Sequence, residues 1–485
     1  MVGNKGSGSL FHCDGHSVLG WAACPVGGIT LNLDGKKFLV VGTGISGIAA
    51  AELLVGQGLE TVLYDGNPEA RAEELREKSP MLGQVELKTG QLPEKTLAEY
   101  DIAVFSPGVP TDIPLALKMR ELGIEIWGEI ELAYAFEKGR VLAVTGTNGK
   151  TTTTALLGSI MEHAGLDVKV VGNIGIPYTS MVTGTGEDSV TVAEISSFQL
   201  ETVHKFCPQV SAILNITPDH LNRHHTMENY QKAKEQIAAN QGPGQFCILN
   251  YEDAALREFS GRVKAKAVFF SSRRELGEGM YLKDGDIIWA WEGRKTAVCN
   301  VRELKLIGNH NYENVMAAAA MAKVAGVPFE KIKEALVTFQ AVEHRIEYVV
   351  TKRGVRFYND SKGTNPDAAI QAVRAMEWPT LLIGGGYDKD SEYDEWIQAF
   401  GGKVKKLVLL GATREKIRDT AVRLGYPESD ILLVDSLQDA VDACYGSAVS
   451  GDAILLSPAC ASWGMFRNYE QRGEIFKELA RALKE

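Results

Sequence analysis

The sequence lacks the cysteine pattern that disulfide frameworks and zinc sites require. Its seven cysteines are odd in number, are scattered over 485 residues, and include no C-x-x-C pair. Neither a disulfide scaffold nor a zinc ribbon is therefore indicated, and the reducing cytoplasm is the expected compartment.

Long apolar runs and an excess of basic residues are also absent. No apolar run approaches the roughly 18 residues that a membrane span needs. The chain carries 51 Lys and Arg against 62 Asp and Glu, a net charge of −11. We therefore expect no membrane association and no nucleic-acid partner, because a nucleic-acid surface needs clustered basic residues. A small anionic substrate stays possible, since a few local cations can bind one.

What the sequence does contain is a repeated pattern of apolar strand, glycine turn and helix, which predicts parallel α/β sheets. The chain is too long for one core and fits about three domains of roughly 150 residues. The predicted strands are Lys37–Val41, Glu60–Tyr64, Val85–Leu87, Ile102–Phe105, Ile124–Trp127, Val141–Val144, Val190–Ala193, Ala212–Asn215, Val355–Tyr358, Thr380–Ile383, Lys406–Leu410, Ile431–Val434 and Ala453–Leu456.

The first glycine turn, Gly42–Gly47, lies between a predicted strand and a helix, and Asp65 follows the next strand. Glycines allow the backbone to approach a pyrophosphate at a helix N-terminus, and the acid can accept from a sugar hydroxyl. By itself this pattern leaves three interpretations open: a nicotinamide dehydrogenase, a site for another nucleotide, or tight packing.

The second glycine turn, Gly146–Thr151, follows the strand Val141–Val144 and opens a helix. Its backbone N–H groups can cradle phosphates, Lys150 can reach the transferred phosphate, and the Thr151 hydroxyl can bind Mg²⁺. A dehydrogenase has no use for such a loop, whereas a ligase uses both turns. One turn would bind a nucleotide-linked substrate and the other would bind ATP.

The two turns define the predicted domains. We expect a Rossmann-like domain at 31–138, a central P-loop ATPase-like domain at 139–340 and a Rossmann-like C-terminal domain at 341–485. Residues 1–30, rich in Gly and Ser, are expected to be an appended or disordered tail outside the fold.

Two polar side chains follow strands of the central domain. Glu194 comes directly after Val190–Ala193, the usual place for a Mg²⁺-binding acid in a phosphate-loop protein. His220 follows the strand Ala212–Asn215. A lone histidine more often has a structural role, but this position after a strand end favours a functional one.

Several segments together resemble the Mur ligases, in the family's order and over residues 31–485. They are GTNGKT, GNIG, EISSFQLE, ILNITPDHLNRH, GNHNYENVMAA, EHRIE, NDSKGTN and SPACAS. The resemblance is greatest to the D-glutamate-adding members, because of Ser106-Pro107-Gly108 and of SPACASWGMFRNYEQRG, which ends at Gly473. The D-N-P-[RK] motif of the members that add lysine or diaminopimelate is absent.

The resemblance implies an ATP-dependent amide ligase with two Mg²⁺ ions, monomeric and cytoplasmic. It would join D-glutamate to UDP-N-acetylmuramoyl-L-alanine through an acyl phosphate. The alternatives are the L-alanine-adding ligase, a folylpolyglutamate synthase (which would lack the first domain) and, less favoured, a dehydrogenase. A protein that only binds its ligands is the least favoured interpretation.

The resemblance also implies roles for individual residues. The residues expected at ATP are Gly146, Thr147, Asn148, Gly149, Lys150, Thr151, Asn311, Asn314, Arg345 and Asp360. Those expected at the UDP-linked precursor are Gly42, Gly44, Ser46, Gly47, Asp65, Gly108 and Asn173. Those expected at D-glutamate are Thr364, Lys389, Ser462 and Tyr469. The expected metal ligands are Thr151, Glu194, His220 and Lys234, the last as an N-carbamate. The expected catalytic residues are Lys150, His220, Lys234 and Lys362.

Overall fold

The structure, a computed structural model, describes residues 33–173, 176–340 and 342–484. The predicted tail, residues 1–30, lies outside the described residues. Within the described ranges twenty strands form three separate sheets with helices packed against them, so the predicted α/β class is confirmed. None of the described helices is both long and apolar enough to cross a bilayer.

The first sheet has five parallel strands in the order β3-β2-β1-β4-β5, which is a Rossmann-like arrangement. Its strands are β1 (Lys37–Val41), β2 (Glu60–Asp65), β3 (Glu86–Thr89), β4 (Ile102–Phe105) and β5 (Glu125–Gly128). Its helices are α1 (Ile45–Gly56), α2 (Ala72–Lys78), α3 (Glu94–Leu97), α4 (Pro114–Glu121) and α5 (Glu129–Phe136).

The second sheet has nine strands in the order β14-β13-β12-β11-β10-β9-β6-β8-β7. Its strands are β6 (Arg140–Thr145), β7 (Asp167–Gly172), β8 (Ser189–Glu194), β9 (Val210–Ile213), β10 (Phe246–Asn250), β11 (Lys266–Ser271), β12 (Gly279–Lys283), β13 (Asp286–Trp291) and β14 (Arg294–Asn300). Its helices are α6 (Lys150–His163), α7 (Tyr178–Met181), α8 (Ser197–Leu200), α9 (Leu221–His224), α10 (Met227–Glu235), α11 (Ala254–Ser260), α12 (Asn309–Val324) and α13 (Phe329–Thr338). β6 and β8 are almost continuously buried, as expected of central parallel strands that are covered on both faces.

The third sheet has six strands in the order β15-β16-β20-β17-β18-β19, with only β15 antiparallel to its neighbour. Its strands are β15 (Glu347–Lys352), β16 (Val355–Asn359), β17 (Thr380–Gly384), β18 (Val404–Leu409), β19 (Ile431–Leu433) and β20 (Ala453–Leu456). Its helices are α14 (Pro366–Ala375), α15 (Asp394–Gln398), α16 (Arg414–Arg423), α17 (Leu437–Ser447) and α18 (Tyr469–Ala482).

Antiparallel hairpins at the sheet edges were not predicted, although a local signal for them exists. The turns at Asp284-Gly285, Glu292-Gly293 and Arg353-Gly354 each place two successive residues in the left-handed region, with φ between 49° and 88°. Two-residue hairpin loops of this kind match the twist of the flanking strands. These turns therefore close the hairpins β12–β13, β13–β14 and β15–β16.

The first and second sheets share one hydrophobic core. We call each sheet with its helices a unit. Buried residues of the first unit, such as Val40 and Ile130, belong to the same cluster as Ala193 and Phe206 of the second unit. Tyr134 and Phe206 meet edge to face across this boundary, with ring centroids 5.2 Å apart. The shared apolar core makes these two units one rigid support.

The third sheet is connected to that support differently. The buried residues of its two cores come from within 346–480, and the partly buried Ile307 of the second unit packs against one of them. Its contacts with the phosphate loop are polar: Asn148 Nδ2 donates to Asp367 Oδ2 at 2.6 Å, and Arg345 Nη2 donates to Thr151 Oγ1 at 3.1 Å. Such polar interfaces are typical of domains that move relative to one another.

Replacing Phe206 by Ala should lower the free energy of unfolding by about 3–5 kcal/mol, because a fully buried ring leaves a cavity in the shared core. The first two sheets should lose structure in a single transition, measured by calorimetry. Leu117→Ala, at a side chain that is 49% exposed, is the control and should change the free energy by less than about 0.5 kcal/mol. Separate transitions for the two sheets would contradict a shared core.

Candidate active site

The turn after β1 is built for close backbone approach. Gly47 is buried, and a Cβ there would lie 1.9 Å from the carbonyl oxygen of Gly42, so only glycine fits. At the end of β2, Asp65 Oδ2 accepts from the Thr43 hydroxyl at 2.5 Å. The acid therefore faces the turn.

A cavity of about 900 Å³ opens above this turn. One wall is the turn itself, and the opposite wall is the loop from Ser106 to Leu115. The predicted precursor residues that line it are Gly42, Gly44, Ser46, Asp65, Gly108 and Asn173. Gly47, also predicted, lies beneath the turn and supports it. Gln199, which the sequence analysis did not assign, lines the cavity from the second unit.

The phosphate loop joins β6 to α6. Gly149 has φ 85°, and a Cβ there would lie 2.1 Å from Asn314 Oδ1. Lys150 folds back over the loop, and its Nζ donates to the carbonyl oxygens of Gly146 and Thr147, both at 2.9 Å. Burial lowers the pKa of Lys150, and the nearby Glu194 carboxylate opposes that shift. The ammonium is therefore fixed at the place where phosphate oxygens of a nucleotide would lie.

Glu194 ends β8 beside this loop and is 1% exposed. Its Oε1 accepts from Asn173 Nδ2 at 2.7 Å, whereas its Oε2 is buried and has no hydrogen-bond partner among the described residues. An unpartnered buried carboxylate oxygen is costly, and a bound cation removes that cost. Glu194 therefore fits a metal ligand. Asn173 connects it to the cavity above the Gly42–Gly47 turn, which we call the precursor cavity after the predicted residues that line it.

Lys234 is the most unusual cation of the site. It is 1% exposed, its Nζ donates to the Gly146 carbonyl oxygen at 2.7 Å, and it lies 4.5 Å from the centre of the Tyr230 ring. Burial, and then the like charge of Lys150, lower its pKa well below the ordinary value. Both effects favour a neutral amine at this position.

His220 occupies an exposed turn between β9 and α9, with a left-handed φ of 53°. Its ring meets Phe198 edge to face at 4.8 Å, and its Nε2 lies 3.5 Å from Asp219 Oδ2. Desolvation lowers its pKa, and Lys150 and Lys234 act in the same direction. The imidazole is therefore neutral over most of the physiological range, as a metal ligand must be.

The described residues contain a different cluster of metal-ligand type, formed by Glu343, His344 and Glu474. Lys477 lies among these acids, with its Nζ 2.8 Å from Glu474 Oε1. The ammonium supplies the positive charge that a metal ion would otherwise bring, so we interpret this cluster as structural.

A second site lies between the phosphate loop and the third unit. It comprises a narrow cavity of about 80 Å³ and a wider one of about 770 Å³ that share several lining residues. The predicted nucleotide and catalytic residues that line it are Asn148, Gly149, Asn311, Asn314, Arg345, Asp360 and Lys362. Lining residues that were not predicted are Phe270, His310, Glu313 and Gln371.

The walls of this nucleotide cavity are ordered by buried polar groups. Asn314 Nδ2 donates to Asn311 Oδ1 at 3.2 Å, and Asn311 Nδ2 donates to the Ile307 carbonyl oxygen. Burial lowers the pKa of His310 to about 4, so its ring is neutral. His310 stands beside Asn311 in the quoted GNHNYENVMAA segment, which was the available signal for it.

The third unit contributes a pair of titrating groups. Burial raises the pKa of Asp360 to about 7, although the Ser457 hydroxyl, which donates to its Oδ2 at 2.7 Å, counteracts this. Burial, and then the charge of Arg345, lower the pKa of Lys362 to about 8. Both groups therefore change charge close to neutral pH.

Of the predicted D-glutamate residues, Thr364, Lys389 and Ser462 lie on three loops of the third unit, and Tyr469 begins α18. Ser462 is buried; Thr364 and Tyr469 are partly buried; Lys389 is exposed, with its Nζ 5.3 Å from the Trp463 ring. A backbone hydrogen bond from Tyr387 to Ala461, 2.9 Å long, joins two of the loops.

Arg472, which the sequence analysis did not assign, is buried and fixes two of these loops. It donates to the carbonyl oxygens of Ser361 and Cys460 at 2.7 and 3.2 Å. It therefore holds together the loops that carry Lys362 and Ser462.

The comparisons with known proteins define the class. Three family models match consecutive parts of the chain: the Mur ligase MurD-like N-terminal domain at 36–128, the Mur ligase middle domain at 144–322 and the Mur ligase glutamate ligase domain at 344–460. The chain therefore belongs to the Mur ligase family, and the dehydrogenase alternative is dropped.

Relatives with known names indicate which members of that family the chain is most similar to. The chain is 57% identical to a UDP-N-acetylmuramoylalanine–D-glutamate ligase of Lachnoclostridium phytofermentans, over 94% of this chain and 100% of the relative. Ligases of the same name from Lachnospira eligens and a Thermoanaerobacter species are 55% and 46% identical, over 93% and 94% of this chain and all of each relative.

Solved structures agree at the level of the fold. A UDP-N-acetylmuramate–alanine ligase from Thermotoga maritima gives a TM-score of 0.58 at 19% identity, covering 93% of this chain and 100% of that one. A MurF ligase of the same organism, solved with ADP, gives 0.55 at 16% identity, covering 94% and 98%. A pseudomurein peptide ligase from Methanothermus fervidus gives 0.58 at 17% identity, covering 93% and 100%.

The pKa of Lys362 predicts a pH dependence. The ammonium is present below a pKa of about 8 and is lost above it, so kcat/KM for ATP should fall as the pH rises through about 8. Lys362→Arg keeps its charge and should move that fall beyond the accessible range. A limb near pH 8 that persists in the arginine variant would mean that another group titrates there.

Proposed function

We propose that the chain joins D-glutamate to UDP-N-acetylmuramoyl-L-alanine with ATP, in cytoplasmic peptidoglycan precursor synthesis, and that it acts as a monomer. The observation that carries the proposal is the link between the precursor cavity and the phosphate loop. Asn173 lines the cavity above the Gly42–Gly47 turn and donates to Glu194 beside the phosphate loop. The cavity that would hold the precursor therefore adjoins the loop at which the phosphates of ATP would lie.

The reaction has two steps. A carboxylate oxygen of the precursor attacks the γ-phosphorus, the bond to the β-phosphate oxygen breaks, and ADP leaves. The amine of D-glutamate then attacks the acyl carbon, phosphate leaves with the former carboxylate oxygen, and the amine loses a proton. Two anions meet in the first step, so positive charge must surround them. Lys150, Lys362 and Arg345 are the side chains that supply it.

Two Mg²⁺ ions belong to this proposal. Thr151 and Glu194 would hold one, and His220 and the carbamate of Lys234 the other. Bound Mg²⁺ neutralises phosphate oxygens and orients them for in-line transfer. The buried free oxygen of Glu194 is the feature of the chain that supports the first site.

The carbamate rests on the surroundings of Lys234. A neutral, buried amine can add to CO₂ and lose a proton, which converts a cation into an anionic oxygen ligand. Such a change would also replace the repulsion between Lys234 and Lys150 by attraction. The polar boundary of the third unit fits a closing movement that brings Lys362 and the glutamate loops to the acyl phosphate.

Lys234→Ala should be nearly inactive, and a small carboxylate such as formate in the buffer should restore part of the rate. Lys232→Ala is the matched control, because Lys232 lies on the same helix but is 63% exposed and paired with Glu228. It should keep full activity. The readouts are ADP release and a carbamate carbon signal in NMR with labelled bicarbonate. An unmodified Lys234 in fully active enzyme would remove the carbamate from the proposal.

The proposed amino-acid substrate is a dicarboxylate. Lys389, Thr364, Ser462 and backbone N–H groups near Tyr469 offer cations and donors for two acid groups. A site built to pair two carboxylates rejects substrates that leave its buried polar groups unpaired. The preference for the D-isomer rests on the relatives and not on charge.

ADP release should therefore run at full rate only with D-glutamate, when ATP, Mg²⁺ and UDP-N-acetylmuramoyl-L-alanine are supplied. Parallel reactions with L-glutamate, L-lysine and meso-diaminopimelate should be slower by a factor of at least about 10². Equal use of L-glutamate, or preference for a diamino acid, would assign the chain to another member of the family. UDP-N-acetylmuramate with L-alanine in the same assay tests the L-alanine-adding alternative.

A further inference from the structure

A clasp of side chains joins the precursor cavity to the segment that carries His220. We define the clasp as Glu201, at the end of α8, with Arg223, in α9, and the Phe198 ring between them and His220. Its residues belong to the EISSFQLE and HLNRH segments, in which Glu194, Gln199 and His220 have been described so far.

The contacts within the clasp cross from the second unit to the first. Arg223 Nη2 donates to Glu201 Oε2 at 2.7 Å and also to the Val109 carbonyl oxygen at 3.2 Å. Its Nε donates to Glu201 Oε1 at 3.3 Å. The Thr111 hydroxyl donates to Glu201 Oε2 at 3.1 Å. The side chains of Arg223 and Glu201 are only 12% and 15% exposed, so solvent weakens this pair far less than a surface pair.

The other side of the clasp contacts the histidine segment. The Arg223 guanidinium lies 5.0 Å from the centre of the Phe198 ring, and the His220 ring meets the same ring at 4.8 Å. His224 stacks on it at 5.5 Å. The Phe198 ring therefore contacts both Arg223 and His220, so the position of the arginine influences the orientation of the His220 ring.

The loop held by the clasp is a wall of the precursor cavity. Val109 and Pro110 line that cavity, and Thr111 and Asp112 come next in the chain. His225 Nε2 lies 3.2 Å from Asp112 Oδ2 and adds an exposed second connection of the same kind. A ligand that presses on this wall thus acts on residues adjoining His220.

We propose that Glu201 and Arg223 are positioning residues that couple occupation of the precursor cavity to the placement of the His220 segment. The identity of the ligand rests on the proposed function. Arginine is required because its planar fork can serve the carboxylate and the Val109 carbonyl together, whereas a lysine ammonium on a flexible stem cannot hold that geometry.

The test is Arg223→Lys, with Arg414→Lys as the matched control. Arg414 also donates to a carboxylate, Asp435, and to a backbone carbonyl, that of Val434, but it lies in α16 of the third unit, outside both cavities. Arg223→Lys should raise KM for UDP-N-acetylmuramoyl-L-alanine and lower kcat, each by about tenfold, while KM for ATP stays within about twofold. Arg414→Lys should leave all three constants unchanged.

Amide hydrogen exchange supplies a readout independent of activity. Bound precursor should slow exchange over residues 219–226 in the unaltered protein and not in Arg223→Lys. If that variant does not fold, Thr111→Val removes one donor of the clasp and should raise KM for the precursor about threefold. Equal protection in the variant, or a lower melting temperature with unchanged kinetics, would overturn the proposal. An unaltered protein that neither binds nor ligates the precursor would instead sink the proposed function, so the two failures are distinguishable.

Discussion

The site depends on one acidic and two basic side chains that lie close together at one end of the second sheet. Glu194 retains one buried oxygen without a partner among the described residues, and the Lys150 and Lys234 amines share the carbonyl oxygen of Gly146. Buried charges and unpartnered buried oxygens are costly, so bound ligands would stabilise this arrangement. Nucleotide phosphates, a divalent cation and a carbamate would each relieve one part of the imbalance.

The first two units hold that group of charges in place, and the third unit would bring further side chains to it. The first two units share an apolar core, which fixes the precursor cavity relative to the phosphate loop. The third unit has its own cores and meets the loop through hydrogen bonds. Separating apolar surfaces costs roughly 25 cal/mol per Å², whereas polar contacts can be exchanged for water. Movement of the third unit against the phosphate loop therefore costs less free energy than movement between the first two units.

Apolar runs flanked by glycine or polar turns predicted thirteen of the twenty described strands within about two residues, because buried parallel strands are short apolar runs. The interior parallel strands β10 and β11, and the strands β7 and β12–β15, were not predicted. The hairpin strands alternate or carry charge, and only their two-residue turns identify them. The start of α18 at Tyr469 is set by the Asn468 side chain, which caps the helix by accepting from Gln471 N.

What the sequence by itself determined is therefore local: the two glycine turns, Asp65 and Glu194 at strand ends, and Lys150 at the start of a helix. Each depends on the few residues around it. Only the tertiary structure decided that Lys234, on a helix rich in charge, is 1% exposed, and that His310 is neutral. It also decided that Arg223 donates to the carbonyl oxygen of Val109, 114 positions away. Burial and pairing of this kind depend on which distant segments cover a side chain, and local pattern carries no information about that.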